Sequence, residues 1–243
     1  MNKPRFRVLS IVSLALLAFT AACALAATSG AANPVKDVEG FWAYTSLVPP
    51  GGKDIPMTGI ILFKDGMFAQ QSVYDGQPFQ KQGAMGHAGP FGAGPMGVHM
   101  VAQQTISISP DKNPPLSFRP DTQHDISVER SGDAMKFVFD TGTIQTFKRI
   151  GPAAGEVHKL EHGLLAFIDG HFVLVDGDAN GVVTGYGTFT HKGTDYDLKI
   201  IRWAESKGGK SLNRRDDSLK ATFDGKVFTL ADGRSFRVAP RKA

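Results

Sequence analysis

Apolar and polar positions alternate along much of the chain. Met135, Phe137 and Phe139 fall on one side of a period-two pattern, as do Tyr196, Leu198 and Ile200, then Phe228 and Leu230, and finally Phe236 and Val238. Alternation of this kind marks a strand with one face on a core and the other toward solvent. Long helical stretches rich in Ala, Leu, Glu and Lys are absent. The strand-like runs are punctuated by Asp-Gly pairs at 65–66, 75–76, 169–170, 224–225 and 232–233, the pairing that favours two-residue hairpin turns. The pattern predicts an all-β, antiparallel protein in which Asp-Gly turns set register as well as reversing the chain.

One hairpin occurs twice. Thr58 to Phe68 reads TGIILFKDGMF and His162 to Phe172 reads HGLLAFIDGHF. At an offset of 104 positions they share Gly59/Gly163, Phe63/Phe167, Asp65/Asp169, Gly66/Gly170 and Phe68/Phe172. A repeat at fixed spacing is evidence of architecture. It divides the chain into a first β unit, 27–150, a linker at 151–158, and a second β unit, 159–243. Two arrangements satisfy it: one larger barrel assembled from two sheets, or two small barrels in tandem. The short linker favours a shared barrel.

Four segments break the alternation. Residues 28–38 read as a flexible or extended lead-in. Residues 76–98, with seven glycines and three prolines, read as a long loop crossing the mouth of a barrel, where Met85, Phe91 and Met96 would cover an apolar opening. Val98 to Ile108 reads as one strand. Ala204 to Asp217 reads as a polar connection with room for one helical turn.

The N-terminus changes how the bulk numbers are read. Lys3, Arg5 and Arg7 precede an apolar run from Val8 to Phe19, and small residues follow to Ala27, the layout of a secretory signal peptide over 1–26. Thr20-Ala21-Ala22-Cys23 partly resembles a bacterial lipoprotein signal, so lipidation of Cys23 is the alternative to soluble export and the only route to membrane association. Cys23 is the single cysteine, so no disulfide joins two points of this chain. Of the formal net charge of +4, the leader carries three, leaving about +1 for the remaining ~217 residues. No basic stripe survives, which argues against a nucleic-acid partner.

Gly40-Phe41-Trp42 opens the first strand of the first unit. This resembles the Gly-x-Trp opening of the lipocalins and of lipocalin-like bacterial domains. The resemblance implies an antiparallel barrel with Trp42 at its closed end, packed against an arginine (Arg149 or Arg237 here), and a small apolar ligand inside. The second unit lacks the tripeptide, having Leu160-Glu161-His162 in its place.

Candidate chemistry follows from these elements. The leading expectation is an exported barrel that binds a small apolar or amphipathic molecule, with Trp42, Phe63, Phe68, Phe137, Phe139 and Tyr196 on inward faces. The alternatives are a structural or interaction protein with a filled barrel and, less favoured, a barrel enzyme such as an isomerase or hydrolase. Asp176-Gly177-Asp178-Ala179-Asn180-Gly181 matches the front half of a calcium loop, with oxygen donors at Asp176, Asp178 and Asn180. Gly187 stands where the bidentate glutamate belongs, and a tight turn explains the same residues. Met85, His87, Met96, His99 and Met100 are thioether and imidazole donors suited to copper. No cofactor is required by any of this. There is no Gly-x-Ser-x-Gly, His-Glu-x-x-His or Walker motif. His158 and His162 would share a face only on a helix. Glu161, His171, Asp195 and Asp197 would be acid and base groups only if gathered inside a barrel.

Overall fold

In the computed structural model, which describes residues 33–240, the polypeptide forms two antiparallel sheets that each close on themselves. The leader-like stretch 1–26 and Cys23 lie outside the described residues. The first unit comprises α1 (Pro34–Val38), β1 (Gly40–Val48), β2 (Met57–Lys64), β3 (Met67–Tyr74), β4 (Ala84–Gly94), β5 (Gly97–Ala102), β6 (Gln104–Ile108), β7 (Leu116–Arg119), β8 (Thr122–Ser131), β9 (Ala134–Phe139) and β10 (Ile144–Gly151). Its sheet runs β3-β2-β1-β10-β9-β8-β5-β4, and β4 pairs back onto β3 to complete the ring; β6 and β7 extend from β4 outside it.

The second unit comprises β11 (Gly155–Leu160), β12 (Gly163–Ile168), β13 (His171–Asp178), β14 (Gly181–Lys192), β15 (Asp195–Lys207), β16 (Lys210–Arg214), β17 (Asp217–Phe223), β18 (Val227–Leu230) and β19 (Ser235–Arg237). Its path is β11-β12-β13-β14-β15-β17-β18-β19. A bridge between Leu160 and Val238 closes this ring, with backbone bonds from Glu161 N to Arg237 O (2.9 Å) and from Ala239 N to Lys159 O (2.8 Å). Closure removes the free edges that an open sheet would present.

The duplicated hairpins take equivalent places. Phe63 pairs with Phe68 across the first turn and Phe167 with Phe172 across the second. Asp65 and Gly66 have φ of 52° and 72°, and Asp169 and Gly170 have 46° and 73°. Both central residues of each turn are thus left-handed, as a turn matched to strand twist requires. Asp169 does further work: its carboxylate accepts hydrogen bonds from the backbone N–H groups of Ala153 (2.7 Å) and Ala154 (3.0 Å), which fixes the crossing between the two barrels. The single shared barrel expected from the short linker does not form, because each sheet finds its own closing partner.

Three apolar layers hold the molecule together. Inside the first barrel, Trp42, Phe63, Phe68, Phe137 and Phe147 are fully or almost fully buried. Phe63 meets Phe91 edge-on at 5.0 Å and Phe137 at 5.8 Å. Inside the second, Phe172, Leu174, Trp203 and Phe228 are fully or almost fully buried. The third layer lies between the barrels, where Phe41, Ile60, Leu62, Ala84, Ala88 and Ile106 pack on Leu164, Ala166, Val173 and Val175. Each large side chain removed from water contributes about 1.5–3 kcal/mol. Strands β2, β3, β12 and β13 are therefore buried on both faces, which is why β12 is buried at every position instead of alternating.

Four sequence expectations change. Residues 34–38 form a helix, started by Asn33 as N-cap with Pro34 in the first turn. It plugs one end of the first barrel, where Val38 O accepts the Trp42 indole N–H at 2.8 Å and Asp37 O accepts from Arg130 at 3.1 Å. Residues 76–98 are not a loop over a barrel mouth: most belong to β4 and the start of β5. At Gly86 the glycine reflects crowding, since a Cβ there would lie 3.0 Å from Thr184 of the second barrel. Val98 to Ile108 is two strands, both paired with β4 on one side, while the partner on the other side changes from β8 to β7 across Gln103. Ala204 to Asp217 holds no helical turn; β15 runs on to Lys207 and β16 turns back on it.

Candidate functional site in the first barrel

Alternation along the ring decides what each strand sends inward. On β3, Phe68, Gln70, Ser72 and Tyr74 face in while Ala69, Gln71 and Val73 face the second barrel. On β4, Met85 and His87 face in; on β5 and β8, Met100 and His124 do so as a directly opposed pair. The α1 end is packed solid with Trp42, Phe63, Phe91 and Phe147. The other end is not, and there a cavity of about 280 Å³ opens, with Phe68, Phe137 and Phe139 as its apolar floor and wall and Gln70, Ser72, Tyr74, His87, His124 and Gln145 as its polar ones. Leu47, Pro49, Thr141 and Thr143 form its rim. The Asp54 carboxylate anchors that rim by accepting from Ser46 Oγ (2.8 Å) and Leu47 N (3.1 Å).

His87 is the most constrained polar group. It is 8% exposed, and its Nδ1 has no hydrogen-bond partner among the described residues. Burial, reinforced by repulsion from His124, pushes its pKa down to about 4. His124 stands edge-on to it with ring centroids 6.0 Å apart and is lowered as well, chiefly by burial. Tyr74 donates to Met85 Sδ at 2.8 Å, and burial raises its phenol. Tyr44 donates to Gln145 Oε1 at 3.2 Å. At neutral pH the buried His87, and the phenols above it, are uncharged. No Lys, Arg, Asp or Glu side chain lines the cavity.

The residues expected from sequence divide by location. Phe68, Met85, Phe137 and Phe139 line the cavity, while Phe63 and Phe91 belong to the packed layer beneath it. Trp42 sits in the α1 end, flanked by Arg130 (5.2 Å) and Arg149 (5.7 Å); Arg237 is in the other barrel. Tyr196 is also in the second barrel, stacked with His191 at 5.0 Å and against Phe167 at 4.6 Å. Met96 lies in the β4–β5 turn, and His99 faces outward onto Asp125 at 2.9 Å. Of the thioether and imidazole set, the fold therefore brings Met85, His87 and Met100 together and adds His124.

Gln70, Ser72, His124 and Gln145 also line the cavity, and apolar periodicity does not single them out. The repeat holds a signal for one of them: 104 positions on, Gln70 becomes Leu174, so polarity at this inward position belongs to one copy only, whereas Ser72 becomes Asp176 and is polar in both.

The Asp-rich segment forms the end of β13 and its turn into β14. Asp178 accepts from Asn180 N at 2.7 Å, a turn held by its own side chain. Asp176 lines a separate open groove of about 960 Å³ with Glu205, Asp232 and Arg234. Burial, then repulsion from Asp178 and Glu161, pushes the Asp176 carboxyl up to about 7. Among the described residues, no three His, Cys, Asp or Glu side chains gather as a metal cluster. Glu161, Asp195 and Asp197 are exposed, Asp197 pairing with Lys220. His171 packs on Phe41 at 5.3 Å, and His158 pairs with Glu156 at 3.2 Å. The acid and base groups are thus not collected within a barrel.

Both barrels have a generally calycin-like form. Comparison of the chain with family models, with curated proteins and with solved structures finds no match in any of the three.

Proposed function

We propose that this chain is a structural or interaction protein of the cell envelope, in which two barrels with packed cores act as one rigid scaffold. The observation that carries this reading is the filling of both barrels: large aromatic and aliphatic side chains occupy the α1 end of the first and the body of the second, and a third apolar layer joins them. A scaffold of this kind needs surfaces for a partner. Among the described strands, β7 and β16 each have a strand neighbour on one side alone, which leaves an edge of each open to strand addition. The leader-like segment at 1–26 supports export to the envelope. The test is native mass spectrometry of the protein released gently from its own envelope. A stoichiometric protein partner supports the scaffold; recovery as a lone chain that carries only a small molecule refutes it.

A second reading rests on one observation, the cavity of about 280 Å³. It supports reversible binding of a small amphipathic molecule by the first barrel while the second remains purely structural. The same spectrum tests it, through the mass of any organic adduct.

A further inference from the structure

The repeat supplies its own control for the cavity. Ile61 pairs with Gln70 in the first barrel and Leu165 with Leu174 in the second, in the same register. The next strand then places His87 beside Gln70 but Gly185 beside Leu174. A Cβ at Gly185 would lie 2.4 Å from the Trp203 ring, so the second barrel fills this level with an indole. An eight-stranded barrel of this size closes with an apolar interior, and polarity at the same level of the first barrel is not needed for folding. It carries a cost instead, because a buried imidazole nitrogen is left unpaired.

We propose that the first barrel is a binding site for a small uncharged molecule with a flat apolar body and one hydrogen-bonding end, the body lying against Phe68, Phe137 and Phe139 and the polar end on His87. This deepens the ligand reading above and rests on it. Three features select that class. The cavity is at the lower edge of the size range for small-molecule pockets, and the Trp42 layer stops a long chain from passing deeper. No side chain of fixed charge faces it, so an anion or a cation would be desolvated without a counter-charge. His87 lines the cavity and is held neutral by burial, and a neutral imidazole carries one ring nitrogen that accepts from a hydroxyl and one N–H that donates to a carbonyl.

The test uses the full mature chain and three matched probes: 2-naphthol, naphthalene and 2-naphthoate. Calorimetry and the imidazole resonances of His87 and His124 report binding. The expected result is one 2-naphthol per chain, at least tenfold tighter than either of the others, with the His87 resonance shifted. His87→Gln, which keeps a hydrogen-bonding end, retains at least part of this preference; His87→Leu loses it. Binding of 2-naphthoate or naphthalene as tight as 2-naphthol overturns the ligand class but leaves the cavity reading standing. Failure of all three to bind overturns both. Equal binding by the His87→Leu variant, with melting temperature unchanged, overturns the role of His87.

Discussion

Gln70 and Leu174 occupy the same position in the two barrels, 104 residues apart, each on the inner face of the second strand of the repeated hairpin. Gln70 borders a cavity, and Leu174 is part of a closed apolar core. Gln70→Leu makes the first barrel resemble the second at this level. The expected outcome is weaker 2-naphthol binding, by at least tenfold, with stability unchanged or raised by about 1 kcal/mol because a buried amide is replaced by hydrocarbon. Urea unfolding and calorimetry on the same preparation check both halves.

His87 makes stability fall in acid. Its folded pKa of about 4 is below the unfolded value of 6.5, so between those limits the unfolded chain binds more protons and stability drops as pH falls from about 6.5 to about 4. The full difference corresponds to about 3 kcal/mol. Above pH 6.5 it has no effect. His87→Leu is expected to remove this slope, as measured by urea midpoints from pH 4 to 8.

Asp176 acts in the opposite sense. Its folded pKa of about 7 exceeds the ordinary 3.8, so in that window the folded chain binds more protons and stability declines as pH rises from about 4 to about 7. The two slopes oppose one another across about pH 4 to 6.5, which flattens the profile of the parent protein. Asp176→Asn removes the Asp176 component and leaves the acid loss from His87 steeper than in the parent. A flatter profile in Asp176→Asn than in the parent refutes the assignment.

Much of this fold is legible in the sequence, and the failures have physical causes. The Asp-Gly turns and the alternation of β9, β15 and β18 are local properties, and both repeated hairpins appear where the pattern places them. Residues 84–94 read as loop in the sequence because glycine is a loop signal; in the fold Gly86 is small so that Thr184 of the other barrel can approach. The closure of two rings instead of one is hidden because it rests on pairings between distant strands, β1 with β10 and Leu160 with Val238. The candidate site was half visible. Its aromatic wall follows period two, whereas His124 becomes part of it only through the pairing of β8 with β5.

Trp42 ties the helix to the barrel. Its indole donates to Val38 O, and the Arg130 and Arg149 guanidinium groups lie over its ring at 5.2 and 5.7 Å. Trp42→Phe keeps most of the buried ring but strands the carbonyl, a cost of about 1–3 kcal/mol. Trp42→Ala also empties the α1 end and is expected to cost about 3–5 kcal/mol. The order of urea midpoints, parent above Phe above Ala, is the check, and equal loss in both variants refutes the separate role of the hydrogen bond.

The seam between the barrels offers a test with a control in the same strand. Gly86 of β4 faces Thr184, whose Cβ and Oγ1 would lie 3.0 Å from an added Cβ, and the neighbouring Gln71 donates to Thr184 O at 2.8 Å. Gly92, six residues on, has no neighbouring atom within 4 Å of the same construction. Gly86→Val therefore overpacks a closed seam and disturbs the Gln71 bond, for an expected loss of about 1–3 kcal/mol, while Gly92→Ala shifts stability by less than about 0.5 kcal/mol. If the seam makes the barrels one cooperative unit, the parent unfolds in a single transition and Gly86→Val splits it in two, followed by Trp42 fluorescence for the first barrel and Trp203 fluorescence for the second. A loss in Gly92→Ala equal to that in Gly86→Val would show instead that β4 glycines matter for the strand itself and not for the contact across the seam.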